Sequence, residues 1–390
     1  MRIPLSCPDI TEAEIESVTA VLRTPWLSRG PRLPEFEEAV AERVGATHAV
    51  AVSSGTAGLH LCVRASEIRA GDEVITSPFS FVASANAVLY EGAVPVFVDV
   101  DPVSLDLDPG RIEAAVTART RAILVVHVFG RPAPMTDILA IARGRGLTVL
   151  EDACEALGAE LEGRQVGTFG ACGVFAFYPN KQITTGEGGV IVTEDGRLAD
   201  LCRSLRNHGR EGEGSEHVRL GYNYRLSELA CALGTAQVRR LDAILARREA
   251  VARSYHERLA GHPDLVLPEI ELAGGRTSWF VYVVRLAPRL GREDRDAIVA
   301  EMQSRGIACG RYFAPLHLQP HIRALLGHRP GDFPVTEAAA ARTLALPFFN
   351  RISDAQIGEV CSTLGELIDR RTPRRGGPGV READRRHSSS

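Results

Sequence analysis

Long hydrophobic runs and an excess of basic residues are both missing from this 390-residue chain. The longest apolar stretches, such as 122–128, are far shorter than the roughly 20 residues that a membrane-spanning helix needs. The N-terminal segment lacks the apolar core of a secretory signal, so we expect a cytoplasmic protein that acts without a membrane. The formal net charge of −4 argues against a nucleic-acid partner, because such proteins present a basic face.

Cysteine pairs of the C-x-x-C type are also missing, although the chain contains eight cysteines. A chain of this length can bury a sizeable core without covalent cross-links. We therefore expect reduced thiols, with no disulfide framework and no metal site.

Lysine is the scarcest of the basic residues. Lys181 is the only lysine, and arginine takes the other strongly basic positions. It lies between an apolar run and a glycine-rich turn in the segment FAFYPNKQITTGEGG, which spans 175–189. A lysine amine can form a Schiff base with a carbonyl group, whereas a guanidinium cannot. We therefore predict that Lys181 is the catalytic residue; the alternative is a lysine left on the surface by chance.

Short apolar runs alternate with helical patterns through the first two thirds of the chain. The runs predict strands at 49–53, 73–77, 94–100, 122–128, 148–151, 173–177 and 190–193. The intervening patterns predict helices at 56–66, 81–91, 109–118, 135–145 and 196–207. This alternation, with strands that are apolar on successive residues, is typical of an α/β domain with a mostly parallel sheet, here of seven strands.

The remaining segments predict how the chain is divided. Helices are predicted at 11–22 and 33–44, a mobile loop at 209–216, one long helix at 227–259, strands at 279–286 and 307–312, and helices at 293–305 and 354–369. We predict a large domain over 1–240 and a smaller C-terminal α/β domain over 241–371. The tail over 372–390 has one large apolar residue, Val380, and is predicted to be disordered.

Two carboxylates follow the strand predicted at 148–151. Asp152 and Glu155 lie in the segment EDACE, at the end of a strand where open α/β sheets place ligand-binding groups. A carboxylate there suits the ring nitrogen of a pyridinium, because it keeps that nitrogen protonated and the ring able to accept electrons. The alternative role of Asp152 is the N-cap of a helix.

The turn after the first strand has the composition of an anion-binding site. Free N–H groups and the positive end of a helix dipole attract anions, Ser54 and Thr56 add hydroxyls, and Gly55 allows close approach. The same sequence is typical of ordinary helix caps, and no Gly-Lys-Ser/Thr follows it, which argues against an ATP-binding loop. After the next strand, Phe81 can cover a planar ring; the alternative is an aromatic residue in the core.

Seven motifs together resemble the DegT-type sugar-nucleotide aminotransferases of the fold-type I pyridoxal-phosphate superfamily. The motifs are S-S-G-T-A-x-L-H-L, F-x-F-V-A-S-A-N-A, P-V-F-V-D-V-D, E-D-A-C-E-A, F-Y-P-N-K-Q-I-T-T-G-E-G-G, R-N-H-G-R and G-Y-N-Y-R-L-S-E-L. The resemblance runs from about residue 3 to residue 370 and implies the fold-type I aminotransferase architecture.

The resemblance also implies roles for the residues around the cofactor, pyridoxal 5'-phosphate. Lys181 would form the Schiff base with it and shuttle a proton during the reaction. Asp152 would pair with the ring nitrogen, Phe81 would stack on the ring, and Glu155 would lie near the ring hydroxyl.

The phosphate site implied by the resemblance involves two subunits. Gly55 and Thr56 would hold the cofactor phosphate, and Asn223 would reach the phosphate of the neighbouring subunit, which makes a homodimer with shared active sites. One residue departs from the family: Ala176 stands where relatives carry a phosphate-binding Ser. We expect one hydrogen bond to be missing and the cofactor still to bind.

The resemblance narrows the substrate. Related dehydratases carry His in place of Lys181, and T-T-G-E-G-G resembles the motif of enzymes that act on 4-keto sugars. The implied reaction converts a dTDP-4-keto-6-deoxyhexose to the amino sugar with L-glutamate as donor. Trp26, Tyr312 and His317 would lie near the sugar; the alternative for His317 is a structural histidine beside a proline turn.

Other functions stay open on the sequence alone. They are a 3-keto-sugar or cyclitol aminotransferase, an enzyme that forms aminohydroxybenzoate, and a catalytically silent cofactor-binding protein such as a regulator. The nucleotide, which can be dTDP, GDP or UDP, is open as well.

Overall fold

The computed structural model describes residues 2–212 and 215–372. The predicted tail lies outside these residues from position 373 onward, and so do two positions of the loop predicted to be mobile. Thr372, the first residue of the predicted tail, still belongs to the folded part, because its hydroxyl forms a 3.0 Å hydrogen bond with Asp264.

The strands of the main sheet follow the predicted positions closely. The strands of the chain are β1 His48–Val52, β2 Glu73–Thr76, β3 Val94–Phe97, β4 Thr120–Val126, β5 Thr148–Asp152, β6 Glu160–Leu161, β7 Arg164–Gln165, β8 Cys172–Ala176, β9 Gly189–Thr193, β10 Leu265–Val266, β11 Gly275–Arg276, β12 Tyr282–Leu286 and β13 Thr343–Leu346. Seven of them form one sheet in the order β1-β9-β8-β5-β4-β2-β3. Only β9 runs antiparallel to its neighbours, so the predicted mostly parallel seven-stranded sheet is confirmed.

Helices pack on both faces of this sheet. The helices of the described residues are α1 Glu12–Leu22, α2 Arg32–Val44, α3 Gly55–Ala65, α4 Ala83–Tyr90, α5 Pro109–Ala115, α6 Met135–Arg145, α7 Gly196–Arg206, α8 Glu228–Arg239, α9 Leu241–Leu259, α10 Arg292–Ser304, α11 Pro320–Leu326, α12 Pro334–Arg342 and α13 Asp354–Arg371. Along β4, Leu124 packs into one core, and Ile123 and Val125 into the other. Burial on both faces explains why these strands are apolar on successive residues. Among the described helices, none is both long and apolar enough to cross a bilayer.

The C-terminal part contains a three-stranded antiparallel sheet in the order β10-β12-β13. Helices α9, α10 and α13 share its apolar core, together with Ile3 from the N-terminus. The strand predicted at 307–312 is wrong: this segment makes single bridges, Ile307 with Ile3 and Gly310 with Ala345. The ladder beside β12 is formed instead by β13, which the prediction missed.

The long helix predicted at 227–259 is two helices. The chain leaves helical geometry at Arg240, with φ −105° and ψ 4°, between α8 and α9. The guanidinium of Arg240 lies 2.6 Å from Glu14, which anchors this junction to α1. No glycine or proline marks the position, so the sequence gives no local signal of the break. The break coincides with the predicted domain boundary at 240, although the division into two domains stays a prediction.

Candidate active site

A cavity of about 620 Å³ opens where the parallel strands of the main sheet end. Val126, Asp152 and Ala176, the last residues of β4, β5 and β8, line it, and so does the turn between β1 and α3. Ligands of open α/β sheets bind at this edge, because the turns that leave neighbouring strands converge there. The cavity also contains Lys181.

Lys181 lies in a tight turn that follows β8, where its N–H donates to the carbonyl of Tyr178 at 2.9 Å. Its side chain is only 13% exposed. The Nζ atom lies 3.6 Å from a carboxylate oxygen of Glu155 and 4.1 Å from the centre of the Phe280 ring. A carboxylate and an aromatic face therefore hold the amine inside the cavity.

The Asp152 side chain is fixed by one donor on each carboxylate oxygen. The Ser84 hydroxyl donates to Oδ2 at 2.6 Å, and the Cys154 N–H donates to Oδ1 at 3.2 Å. Turns and short strands follow Asp152, and no helix begins anywhere in the described segment 153–195. The alternative role of Asp152 as a helix N-cap is therefore wrong.

Glu155 is the second buried carboxylate of the cavity. Burial raises the pKa of this carboxyl, while the nearby Lys181 ammonium and the Phe129 N–H act in the opposite direction. The Phe129 N–H donates to Oε2 at 3.0 Å, which leaves the other oxygen directed at Lys181. The protonation of the Glu155 carboxyl therefore depends on the charges that lie beside it in the cavity.

The turn at the start of α3 is closely packed against the end of β8. Ser54 caps the helix by accepting the N–H of Ala57 at 3.1 Å. A Cβ atom added to Gly55 would lie 2.7 Å from the Cβ of Ala176 and 2.9 Å from the sulfur of Cys154, so only glycine fits. The first N–H groups of α3 have no partner within the helix and are available to an anion.

Two aromatic residues of the segment Phe79-Ser-Phe81 have opposite environments. Phe79 is fully buried and packs edge-on against Phe129 and Phe313. Phe81 lines the cavity and is 60% exposed. The alternative interpretation of Phe81 as a core aromatic is therefore wrong, because Phe79 is the aromatic residue of this segment that lies in the core.

Tyr312, one of the predicted site residues, lines the cavity, and burial raises its pKa to about 12. Several other lining residues of the cavity were not predicted. The further lining residues include Ser80, Tyr178, Asn180, Glu187, Phe280, Arg311 and Phe313. Asn180 is the neighbour of Lys181 in the motif and could have been found from it. Phe280 lies far from the motif in sequence, and no local pattern places its ring beside Lys181.

Three predicted residues lie outside the cavity. Trp26 is 56% exposed, and Asn223 is exposed and pairs through its backbone with Asn207. Their predicted roles stay predictions. His317 has no exposed surface; its Nε2 lies 3.0 Å from Glu337 and its ring packs against Phe333. A side chain enclosed in this way does not contact a sugar, so the structural role is retained for His317.

The residues of the cavity fit pyridoxal phosphate. The group requires an amine, a carboxylate for its ring nitrogen, an apolar face for its ring and donors for its phosphate. Lys181, Asp152, Phe81 and the turn at Gly55 provide these groups around one cavity. Within the described residues, no group of three or more His, Cys, Asp or Glu side chains is placed to hold a metal ion.

Known proteins with the same sequence features and fold are sugar aminotransferases. The DegT/DnrJ/EryC1/StrS aminotransferase family profile matches residues 8–365. GDP-perosamine synthase of Caulobacter vibrioides is 38% identical over 370 residues, which cover 94% of this chain and 98% of that protein. The spore coat polysaccharide biosynthesis protein SpsC of Bacillus subtilis is 37% identical over 378 residues, which cover 94% of this chain and 97% of SpsC.

The fold comparison agrees with the sequence comparison. The PMP form of Spr1654 from Streptococcus pneumoniae matches with a TM-score of 0.91 and 26% identity, over 95% of this chain and 98% of that one. The PLP form of Spr1654 matches with the same TM-score and identity. PLP and PMP, pyridoxal and pyridoxamine phosphate, are the two cofactor states between which a transaminase alternates. The chain therefore belongs to the DegT/DnrJ/EryC1/StrS aminotransferase family and is a pyridoxal-phosphate-dependent sugar aminotransferase.

Proposed function

We propose that the enzyme converts a nucleotide-linked keto sugar, a dTDP-4-keto-6-deoxyhexose, to the amino sugar with L-glutamate as amino donor. The observation that carries this proposal is the position of Lys181, the only lysine of the chain, in one cavity with Asp152 and Glu155. The balance is simple: glutamate gives up its amino group and becomes 2-oxoglutarate, while the sugar ketone becomes an amine. The T-T-G-E-G-G motif after Lys181 supports the 4-keto position.

In this proposal Lys181 and Glu155 act together in the proton transfer. The bound cofactor supplies an aldehyde that accepts the amino group and a ring that takes up the electrons of the broken C–H bond. Lys181 Nζ would hold the cofactor when it is bound and would move the proton during the reaction. Glu155, 3.6 Å from Nζ, stabilises the charge that Lys181 gains when it carries that proton.

The remaining site residues hold and orient the cofactor. Asp152 would face the ring nitrogen and keep it protonated, since an anionic neighbour favours the charged form of the ring. Phe81 would cover the ring. The N–H groups of Gly55 and Thr56 and the hydroxyls of Ser54 and Thr56 would bind the phosphate at the start of α3. Ala176, in place of a serine, leaves the β8 side of this phosphate site without a hydroxyl.

The substrate and the second subunit complete the site. Tyr312 and Arg311 line the cavity from the C-terminal part of the chain, where a sugar can meet them, and Trp26 is proposed to contact the sugar as well. Asn223 is proposed to bind the cofactor phosphate of the partner subunit in a homodimer. The exposed position of Asn223 is compatible with that role, because its side chain is open to a second subunit. We place the enzyme in the cytoplasm, where keto-sugar nucleotides and glutamate occur.

A panel of keto sugars tests this proposal. The purified enzyme with pyridoxal phosphate is incubated with L-glutamate and dTDP-4-keto-6-deoxyglucose, and separately with the GDP- and UDP-linked 4-keto sugars. The GDP sugar belongs in the panel because the Caulobacter relative is named for a GDP sugar. We expect a dTDP-linked amino sugar, detected by mass spectrometry, with 2-oxoglutarate in equal amount. Amination of only the GDP-linked or the UDP-linked 4-keto sugar would overturn the choice of nucleotide, and amination of none of the three would overturn the choice of a 4-keto sugar.

A further inference from the structure

Ser84 is a buried polar residue in direct contact with the carboxylate of the active site. It lies in the first turn of α4, has no exposed surface, and its hydroxyl is 2.6 Å from Oδ2 of Asp152. It lies three residues after Phe81, so one helix start carries both the ring-facing aromatic residue and this hydroxyl. The motif F-x-F-V-A-S-A-N-A contains Ser84, but the family resemblance implied no role for it.

The hydrogen-bond partners of Ser84 define the direction of its proton. A serine hydroxyl has one proton to donate and two lone pairs to accept with. Its contacts are Asp152 at 2.6 Å, Ser80 Oγ at 2.9 Å and the carbonyl of Phe81 at 3.3 Å. The carboxylate is the nearest and the most strongly accepting partner, so Ser84 donates to Asp152 and accepts from Ser80.

The Asp152 carboxylate depends on this donor. It is 6% exposed, so water contributes little to its solvation. Besides Ser84, the contact that fixes the carboxylate is the longer one from the Cys154 N–H, 3.2 Å from the other oxygen. Hydrogen bonds to the charged form favour ionisation and oppose the effect of burial.

We propose that Ser84 is a positioning residue whose hydrogen bond holds the Asp152 carboxylate directed into the cavity. This inference rests on the proposed role of Asp152 as the partner of the cofactor ring nitrogen. Loss of the hydroxyl removes a charge-assisted hydrogen bond in a buried site. The longer contact from the Cys154 N–H then remains to orient the carboxylate toward the ring nitrogen.

The test compares the holoenzymes of the wild type, Ser84→Ala and Ser84→Cys. The cysteine variant keeps nearly the same volume with a much weaker donor, so it separates hydrogen bonding from packing and serves if the alanine variant folds poorly. The readouts are the pH dependence of kcat, the pH dependence of the absorbance of the bound cofactor, and the dissociation constant of pyridoxal phosphate. Ser17→Ala is the matched control, because its half-buried hydroxyl bonds a backbone carbonyl of α8 outside the cavity.

In both Ser84 variants we expect kcat at neutral pH to fall roughly tenfold to a hundredfold, as the loss of a hydrogen bond to a charged group implies. The pH dependence of kcat and that of the cofactor absorbance should both differ from those of the wild type, while cofactor affinity changes by less than kcat. Ser17→Ala should leave all three readouts in place. Unmoved profiles in the folded, cofactor-loaded Ser84 variants would overturn the inference.

Asp152→Asn is measured with the same readouts, so that a failure of the Ser84 inference can be distinguished from a failure of the proposed role of Asp152. An inactive Asp152→Asn with normal Ser84 variants would contradict the positioning role alone. A fully active Asp152→Asn would contradict the role of Asp152 itself, and the Ser84 inference with it.

Discussion

Lys181, Asp152 and Glu155 meet because the turns after β5 and β8 leave neighbouring strands at the same edge of the sheet. Each was predictable from its local sequence: the lysine by its scarcity, and the carboxylates by their position at a strand end. Phe280 was not predictable, because its contact with Lys181 joins segments about a hundred residues apart. Ser84 lay within a recognised motif, but its hydrogen bond to Asp152 is a tertiary contact between the start of α4 and the end of β5.

Replacement of Lys181 should abolish the reaction and leave the fold intact. In Lys181→Ala, Glu155 loses its counter-charge, but burial already raises the pKa of this carboxyl, so it can take up a proton instead of unfolding the site. Turnover and the absorbance of the cofactor–lysine Schiff base should both disappear. Lys181→Arg is the matched control, since it keeps the charge without a usable amine, and it should be equally inactive. Near-normal turnover in either variant would remove the proposed mechanism.

Replacement of Asp152 should separate binding from catalysis. Asp152→Asn keeps the size of the side chain and removes its charge, so the ring nitrogen loses the group that keeps it protonated. We expect the cofactor to remain bound and kcat to fall roughly a hundredfold or more. Absorbance titration of cofactor binding and steady-state kinetics check the two parts. A normal kcat would mean that another group protonates the ring.

At the scale of elements, strands were easier to predict than the ends of helices. Strands that are buried on both faces are recognisable as apolar runs, and all seven strands of the main sheet were predicted. The break between α8 and α9 at Arg240 was missed because its cause is a tertiary contact: Arg240 and Gln237 both hold the buried carboxylate of Glu14 in α1. The prediction of a strand at 307–312 was wrong, because β13 occupies the position beside β12 in the sheet.

The contact between α1 and the end of α8 should make stability depend on pH. Burial alone would raise the pKa of Glu14, but hydrogen bonds from Thr11, Arg240 and Gln237 outweigh it and lower the pKa to about 2. Since the folded pKa lies below the ordinary value, the stabilisation is complete above about pH 5 and is lost as the pH falls toward 2.

Glu14→Gln should therefore lower the free energy of unfolding by about 3 kcal/mol at pH 7, and the difference from wild type should shrink steadily below pH 5. Urea titrations at several pH values measure it. The control is Glu16→Gln, an exposed residue of the same helix, which should have little effect at any pH. A Glu14→Gln difference that is independent of pH would show that the carboxylate charge contributes nothing.

At the scale of the whole molecule, the fold and family followed from the sequence, but the second subunit did not follow from one chain. Asn223 is exposed, and its neighbours Tyr222 and Tyr224 stack on each other and pack around His60 of α3. The backbone that carries Asn223 is thereby fixed to the same helix whose first turn is proposed to bind the phosphate. An exposed side chain on a rigid segment is what a shared site would require, and the dimer itself stays a proposal.

Mixing two inactive variants tests the shared site. In a mixed dimer of Lys181→Ala and Asn223→Asp, one of the two sites contains both wild-type residues and the other contains both substitutions. The aspartate places a negative charge beside the cofactor phosphate and weakens binding by repulsion. We expect mixing to restore up to about half the activity per mixed dimer, with subunit exchange verified by differently tagged chains. Verified exchange without recovered activity would place Asn223 in its own subunit's structure only.

We propose that the enzyme transfers nitrogen from glutamate to the keto carbon of a nucleotide-linked sugar, in a transamination that requires Lys181. One measurement tests this transfer: ¹⁵N from labelled L-glutamate is followed into the product formed from dTDP-4-keto-6-deoxyglucose, by mass spectrometry and NMR. We expect ¹⁵N bound to C4 of the sugar with the wild type, and none with Lys181→Ala. Label at C4 that persists in Lys181→Ala, or its absence from every keto sugar tested with the wild type, would contradict it.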